Sequence, residues 1–434
     1  MVAPVPKVEF NSCYRIQQET SFGAGGGSAD WIAGGNGGGA TGWRDWAVSV
    51  GQSPIQATEN IIFPAYKGCE RAVNYQPPVP GRYEVGHTLE SPVFLEQTHP
   101  ILYGILGGQS LVETAGTAAL SSTAFASVAS LDTQPDGTEQ LKFVIASSTA
   151  ASAAQINILV GAVLQETIEI GTNAGTVDGT YYSRGAYNAT VTFTVAGTVT
   201  AGTVVVSGVD YVTGTFTLAD TIPSFQIQED GLARSATSMH FPGVIMQSVD
   251  FAFDATAADG LITMATAFQS QFPSAATAVA FVNETRDYQH ALGGWTASLL
   301  KDSVAYERVQ SATLTINGGN TLFATASGSQ QPSGKLAGGA EVTMTARVVV
   351  EDTTEWAAYT GQTVQDYHLV LTSPNNIVDS TKFSMTFEMT STYMESYPVA
   401  IGDDGMLVVD ITYRTILDAS DGIVKITTVD RMPV

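Results

Sequence analysis

The sequence predicts an all-β protein of packed antiparallel sheets with one or two short helices. Two observations carry that expectation. Only 14% of the 434 residues are charged, against roughly 25% in a typical soluble chain, so Thr, Ser, Gln and Asn must keep the surface wet, and β-branched Thr suits a pleated face. Apolar residues also recur with a period of two in one segment after another, the signature of half-buried strands. The clearest pair is SATLTI (Ser311 to Ile316) and EVTMTARVVVE (Glu341 to Glu351). Leu314 and Ile316 fall on one face opposite Thr313 and Thr315, and Val342, Met344 and Ala346 alternate with Thr343, Thr345 and Arg347. Asn317 to Ala340 joins them, far longer than the usual hairpin loop of about 2 to 5 residues, which assigns the loop a task of its own.

From the start of the chain, MVAPVPKVEFNSCYR has no apolar core of signal-peptide length, and no later run reaches the length of a membrane span. Synthesis and assembly in a cytoplasm without membrane insertion are therefore expected. Residues 1–60 form a Gly-rich arm around SFGAGGGSADWIAGGNGGGATGW (Ser21 to Trp43), where no regular element should persist. Trp31, Trp43 and Trp46 lie in or beside it and need a surface to bury against. The arm is read either as ordering on a neighbouring subunit or as a plain linker.

Residues 61–109 are compact, with HPILYGILGG predicting a short helix from His99 to Leu106, Pro100 in its first turn and Gly107 or Gly108 at its end. From 110 to 213 the texture changes to Ala, Thr, Val and Gly. EQLKFVIAS, LQETIEIG, ATVTFTVAG and GTVVVSGVDY follow one another as strands. Short strands at this spacing predict an inserted immunoglobulin-like sandwich, although the cysteine pair and core tryptophan of antibody domains are absent. Residues 214–434 return to the first fold. A hairpin within Phe241 to Phe272 sets Val249, Phe251 and Phe253 against Ser248, Asp250 and Asp254. Asp352, Glu355 and Gly361 mark a second short helix with a capping box and a stop. Period-two strands at TKFSMTFEMTS and GMLVVDITYRTILDASDGIVKITTVD close the chain.

In order, GRYEVGHTLESPVF with HPILYGILGG, TFTLADTIPSFQIQ, PGVIMQSVDFAFD with LITMATAFQ, the SATLTINGG loop and its returning strand, and DGMLVVDITYRTILDASDGIVKITTVD resemble the tail tube proteins of long-tailed bacterial and archaeal viruses. The resemblance covers 60 to 110 and 213 to 430; family members are usually shorter, a departure the insertion accounts for. It implies a structural virion protein with no enzymatic role and no cofactor. Two packed sheets and a flanking helix would form each subunit. Six copies would make a ring whose inward sheets join as a barrel, stacked rings would make the tail tube, and double-stranded genome DNA would pass transiently down the bore to the host. The partners implied are further copies of the chain and other tail proteins.

A barrel removes exposed sheet edges and widens with strand number. A bore for sliding DNA should avoid phosphate anchors, so the polar strand faces at Asp250, Asp254, Thr313, Thr315, Thr343 and Thr345 are the bore candidates, with plain outer surface as the alternative for each. In the family a long loop between barrel strands reaches the next ring, which assigns that role to Asn317, Gly318, Gly319, Asn320, Phe323, Lys335, Gly338 and Gly339. The insert belongs outside the tube, where it either adheres to host cell-surface polymers or is a stabilising ornament.

Other chemistry is poorly represented. The net charge is −23, from 18 Lys and Arg against 41 Asp and Glu, a poor basis for gripping nucleic acid. His87, His99, His240, His290 and His368 show no paired spacing. The GAGGGS and GNGGGA runs lack the leading strand and following helix of a dinucleotide loop. Cys13 and Cys69 form no metal-ligand spacing, and Asp403, Asp404 and Gly405 mark a turn rather than a calcium loop. The sequons at Asn188 and Asn283 mean little without a secretory route. A β-rich surface adhesin or surface-layer binding protein is the alternative from another functional class.

Overall fold

The computed structural model describes residues 13–19, 22, 44–46, 48–49, 55, 57–62, 65–66, 74–75, 79–124, 129–146, 148–150, 154–171, 175–176, 178–188, 190–196, 199–200, 202–230, 238–256, 260–276, 291–326, 329–401, 406–419 and 421–431. Strands dominate them, and the α-helices among them are Leu95–Leu106 (α1) and Thr354–Thr360 (α2).

The first sheet of the body runs, neighbour to neighbour, through Val79–Pro92, Thr263–Ser270, Ser238–Asp254, Val309–Asn317, Glu341–Val349 and Leu407–Thr415, all antiparallel. The second runs through Ala297–Lys301, Gln365–Val378, Thr381–Ser396, Lys425–Asp430, Thr203–Leu218 and Gly107–Ala124. The sheets join where the end of Thr381–Ser396 leaves the second and pairs with Leu407–Thr415 of the first. Period-two burial explains the packing, because each strand sends its alternate apolar residues into one shared core. Phe251 of the first sheet meets Phe387 of the second with ring centroids 4.9 Å apart, and Tyr413 meets Tyr367 at 4.7 Å.

The strands Gly107–Ala124 and Thr203–Leu218 pair along their whole length and leave the body as a ribbon. Their register shifts between Val204 and Val206, Ser207 and Val209, and Val209 and Tyr211, and such bulges bend a ribbon and sharpen its twist. Beyond the bend the ribbon pairs with Glu139–Ala146, which pairs with Gly179–Tyr187. Against this sheet packs another, Val163–Gly171, Ala154–Val160, Val191–Ala196 and Ala129–Ser130. A second hydrophobic cluster, from Ala118 to Val206, fills the space between them, with Phe143 and Phe193 edge to face at 5.4 Å. Ala154–Val160 and Val163–Gly171 form a hairpin, with Gly161 and Ala162 at φ 56° and 67° in its two-residue turn.

Both helices depart from expectation. α1 starts at Leu95, a turn before His99, and carries Pro100 inside it rather than in its first turn. Burial of Leu95, Ile101, Leu102, Ile105 and Leu106 outweighs the lost hydrogen bond. α2 is capped differently from the expected box. The Thr354 N–H donates to the Asp352 carboxylate at 2.8 Å, while Glu355 is buried and accepts a hydrogen bond from the Tyr306 hydroxyl at 2.8 Å. Gly361 ends the helix with right-handed backbone, φ −81°, and Gln362, at φ 47°, takes the left-handed position.

Candidate functional site

The first sheet has an apolar and a hydroxyl face. Leu89, Thr266, Val249, Ile316 and Val342 lie side by side on the core face, all buried. On the opposite face the registers align Glu90, Ala265, Asp250, Thr315, Thr343 and Arg414 in one row, and Thr263, Ala252, Thr313, Thr345 and Thr412 in the next. A third row holds Thr88, Ala267, Ser248, Asn317 and Glu341. Period-two alternation thus brings Asp250, Thr313, Thr315, Thr343 and Thr345 together as neighbours on a partly exposed surface. Asp254 stands at the rim, where its carboxylate caps a turn by accepting from the Thr256 N–H at 2.8 Å.

Cations on this face are few. Arg347 is the register partner of Asp410. Arg414 places Nη1 2.7 Å from Glu341 and donates from Nε to Glu395 at 3.2 Å. That hydrogen bond, with the Glu341 charge beside it, pushes the guanidinium up from its ordinary range.

The long loop is tied to its own chain. Asn320 is 2% exposed, and its amide donates to the backbone carbonyls of Met246 at 2.9 Å and Ile105 at 3.1 Å. Further on, the Gln330 side chain donates to the Gly81 carbonyl at 2.6 Å and Gln331 accepts from the Phe272 N–H at 2.7 Å. The limbs cross where a Cβ on Gly338 would lie 2.0 Å from the Gly319 carbonyl oxygen, and Gly319 has φ 62°; only glycine allows that approach. Asn317 caps the turn by accepting from the Gly319 N–H at 2.8 Å. Beyond the crossing Thr321–Phe323 and Gly334–Leu336 pair as a small ribbon, with Phe323 and Leu336 exposed. Lys335 is half-buried, and desolvation pushes its ammonium below the ordinary lysine range.

Large exposed apolar side chains mark both ends of the first sheet. At the loop end they are Phe323, Leu336, Ile416 and Leu417, the last 75% exposed. At the α2 end they include Leu261, Trp295, Trp356, Leu407 and Ile401, the last 76% exposed. Trp356 packs with Tyr359 and Tyr397 in an aromatic group. Beside it Arg308 lies 3.0 Å from Glu351 and 3.1 Å from Asp352. Hydrogen bonds from Thr354, then from Arg308, hold the Asp352 carboxyl down to about 2.

Of the arm tryptophans, Trp31 and Trp43 lie outside the described residues. Trp46 corrects the expectation of burial on a neighbouring subunit: the strand Arg44–Trp46 pairs with Cys13–Gln18 of its own chain, and the indole joins the body core at 3% exposure. His99 is buried edge-on to Phe216, and His368 lies 3.0 Å from Asp366. His290, Cys69, Asn283, the GAGGGS run and Asp403 to Gly405 lie outside the described residues. Among those described, no group of three or more His, Cys, Asp or Glu side chains could hold a metal ion, and no helix is long and apolar enough to cross a membrane. The end surfaces and the Arg414 cluster escaped the sequence reading, because they arise from cross-strand register and not from local pattern. No protein-family model matches the chain, and no curated protein matches it significantly.

Proposed function

We propose that this chain is a structural subunit that assembles into rings, hexameric by the family resemblance, stacked as the tail tube of a long-tailed virus for passage of double-stranded DNA. One observation carries the reading: a sheet face of hydroxyls, small side chains and few cations ends, on both sides, in exposed apolar residues. Exposed apolar patches of this kind mark association surfaces. Because they stand at opposite ends of one sheet, head-to-tail contact sets one patch of each copy against the other patch of the next, and such contacts build rings or open stacks. The hydroxyl face then suits a water-filled bore, since it has little with which to anchor phosphate.

Negative-stain microscopy of the concentrated full chain tests this. Rings or short tubes are expected, and Ile401→Glu should abolish them while leaving the circular dichroism of the subunit unchanged. Monomers at every concentration would overturn the reading.

A further inference from the structure

We infer that Glu341 and Glu395 mask Arg414, so that this arginine offers a passing polyanion no open grip, an inference that rests on the tube reading. The strands of the first sheet contain no lysine, and their arginines are Arg82, Arg347 and Arg414. Arg82 lies beyond the stretch that pairs with Thr263–Ser270, and Arg347 faces Asp410 in register. Arg414 stands at the end of the row that holds Thr343 and Thr315.

A guanidinium grips phosphate through paired N–H groups along an edge. Glu395, from the end of Thr381–Ser396, occupies Nε, and Glu341, from the start of Glu341–Val349, occupies Nη1. Each gripping edge of Arg414 therefore carries a carboxylate. Stability is a weak explanation for the convergence, because the side chains of Arg414, Glu341 and Glu395 are 38%, 47% and 43% exposed and solvated ion pairs add little. For a polyanion the effect is large: an open arginine releases condensed counterions on binding phosphate, and two carboxylates beside it cancel that gain.

The test is fluorescence anisotropy of a labelled short DNA duplex titrated with the full chain at low and high salt. E341Q/E395Q should bind about tenfold more tightly than the wild type at low ionic strength, lose the gain at high salt, and lose it again when R414Q is added. A folded E341Q/E395Q that binds no better than wild type would overturn the mask, as would a gain that survives R414Q. If the double variant fails to fold, E395Q alone should show a smaller gain in the same direction, and no gain overturns the proposal. Ring formation by these proteins under negative stain separates the ideas. Rings without a DNA gain sink only the mask, and a DNA gain without rings sinks only the tube.

Discussion

The body and the insert are both two-sheet β structures hung on the same ribbon, yet their cores are built from different residues. The body core is rich in Phe and Met, with Phe251, Phe268, Phe383, Phe387, Met344, Met385 and Met389 buried together. The insert core is mainly Ala, Val, Ile and Leu around Phe143 and Phe193, and Ser110 to Thr213 contains no Met, Trp or His. Among the described residues, the cluster between them is the small one of Tyr182, Val209 and Val212, flanked by Tyr103 and Leu111. Separate cores joined through so little apolar contact should melt as separate cooperative units, even though the strands between them are continuous.

The largest effects come from breaking one core at a time. Phe251→Ala should cost the body about 3–5 kcal/mol, and Phe193→Ala should cost the insert a similar amount. In calorimetry each substitution should lower one transition and leave the other in place. A single transition shifted equally by both would show that the ribbon couples the cores into one unit.

Acid should separate them next. His99 is wholly enclosed, its Nε2 3.1 Å from the Thr428 hydroxyl, and burial lowers its pKa from 6.5 to about 3. The unfolded chain therefore takes up a proton below about 6.5 that the folded body refuses, so body stability falls as pH drops from there toward about 3. The insert, without histidine, lacks that contribution. Between pH 7 and the ordinary carboxylate range, the body transition should fall more steeply than the insert transition, and His99→Gln should flatten the difference. Equal slopes in wild type and variant would remove His99 as its origin.

What the sequence revealed follows the same line between local and non-local physics. Ser311 to Ile316 and Glu341 to Glu351 were legible because alternation of Thr with Leu, Ile and Met is written in consecutive residues, and the hydroxyl rows inherit that alternation. Gly107–Ala124 was not, because GGQSLVETAGTAALSSTA has too few large apolar residues to show a period; its partner Thr203–Leu218 holds it in place. Asn320 reads as a loop residue, and only the folded chain brings the Met246 and Ile105 carbonyls to its amide. The Arg414 cluster is the same case, since Glu341 and Glu395 come from different strands.

The smallest effect lies at the junction itself. Glu139 is buried there, accepting from the Ala118 N–H at 2.8 Å and the Thr117 hydroxyl at 2.6 Å, and a Cβ on Gly208 would lie 2.0 Å from its carboxylate. Asp210 stands beside this group. Burial, then the charges of Glu139, Asp136 and Asp379, push its carboxyl above the ordinary range. With a raised folded pKa, the ionised group opposes folding at neutral pH, and that opposition disappears as pH falls through the folded value and the carboxyl takes up its proton. Asp210→Asn should therefore stabilise the protein at neutral pH, by no more than about 0.5 kcal/mol because the group is largely solvated and screened. The gain should grow at low salt and vanish in acid. Because ribbon and insert meet at this point, the shift should appear in the insert transition before the body transition. A destabilised variant at neutral pH would mean that Asp210 holds the junction through a favourable contact that outweighs the repulsion.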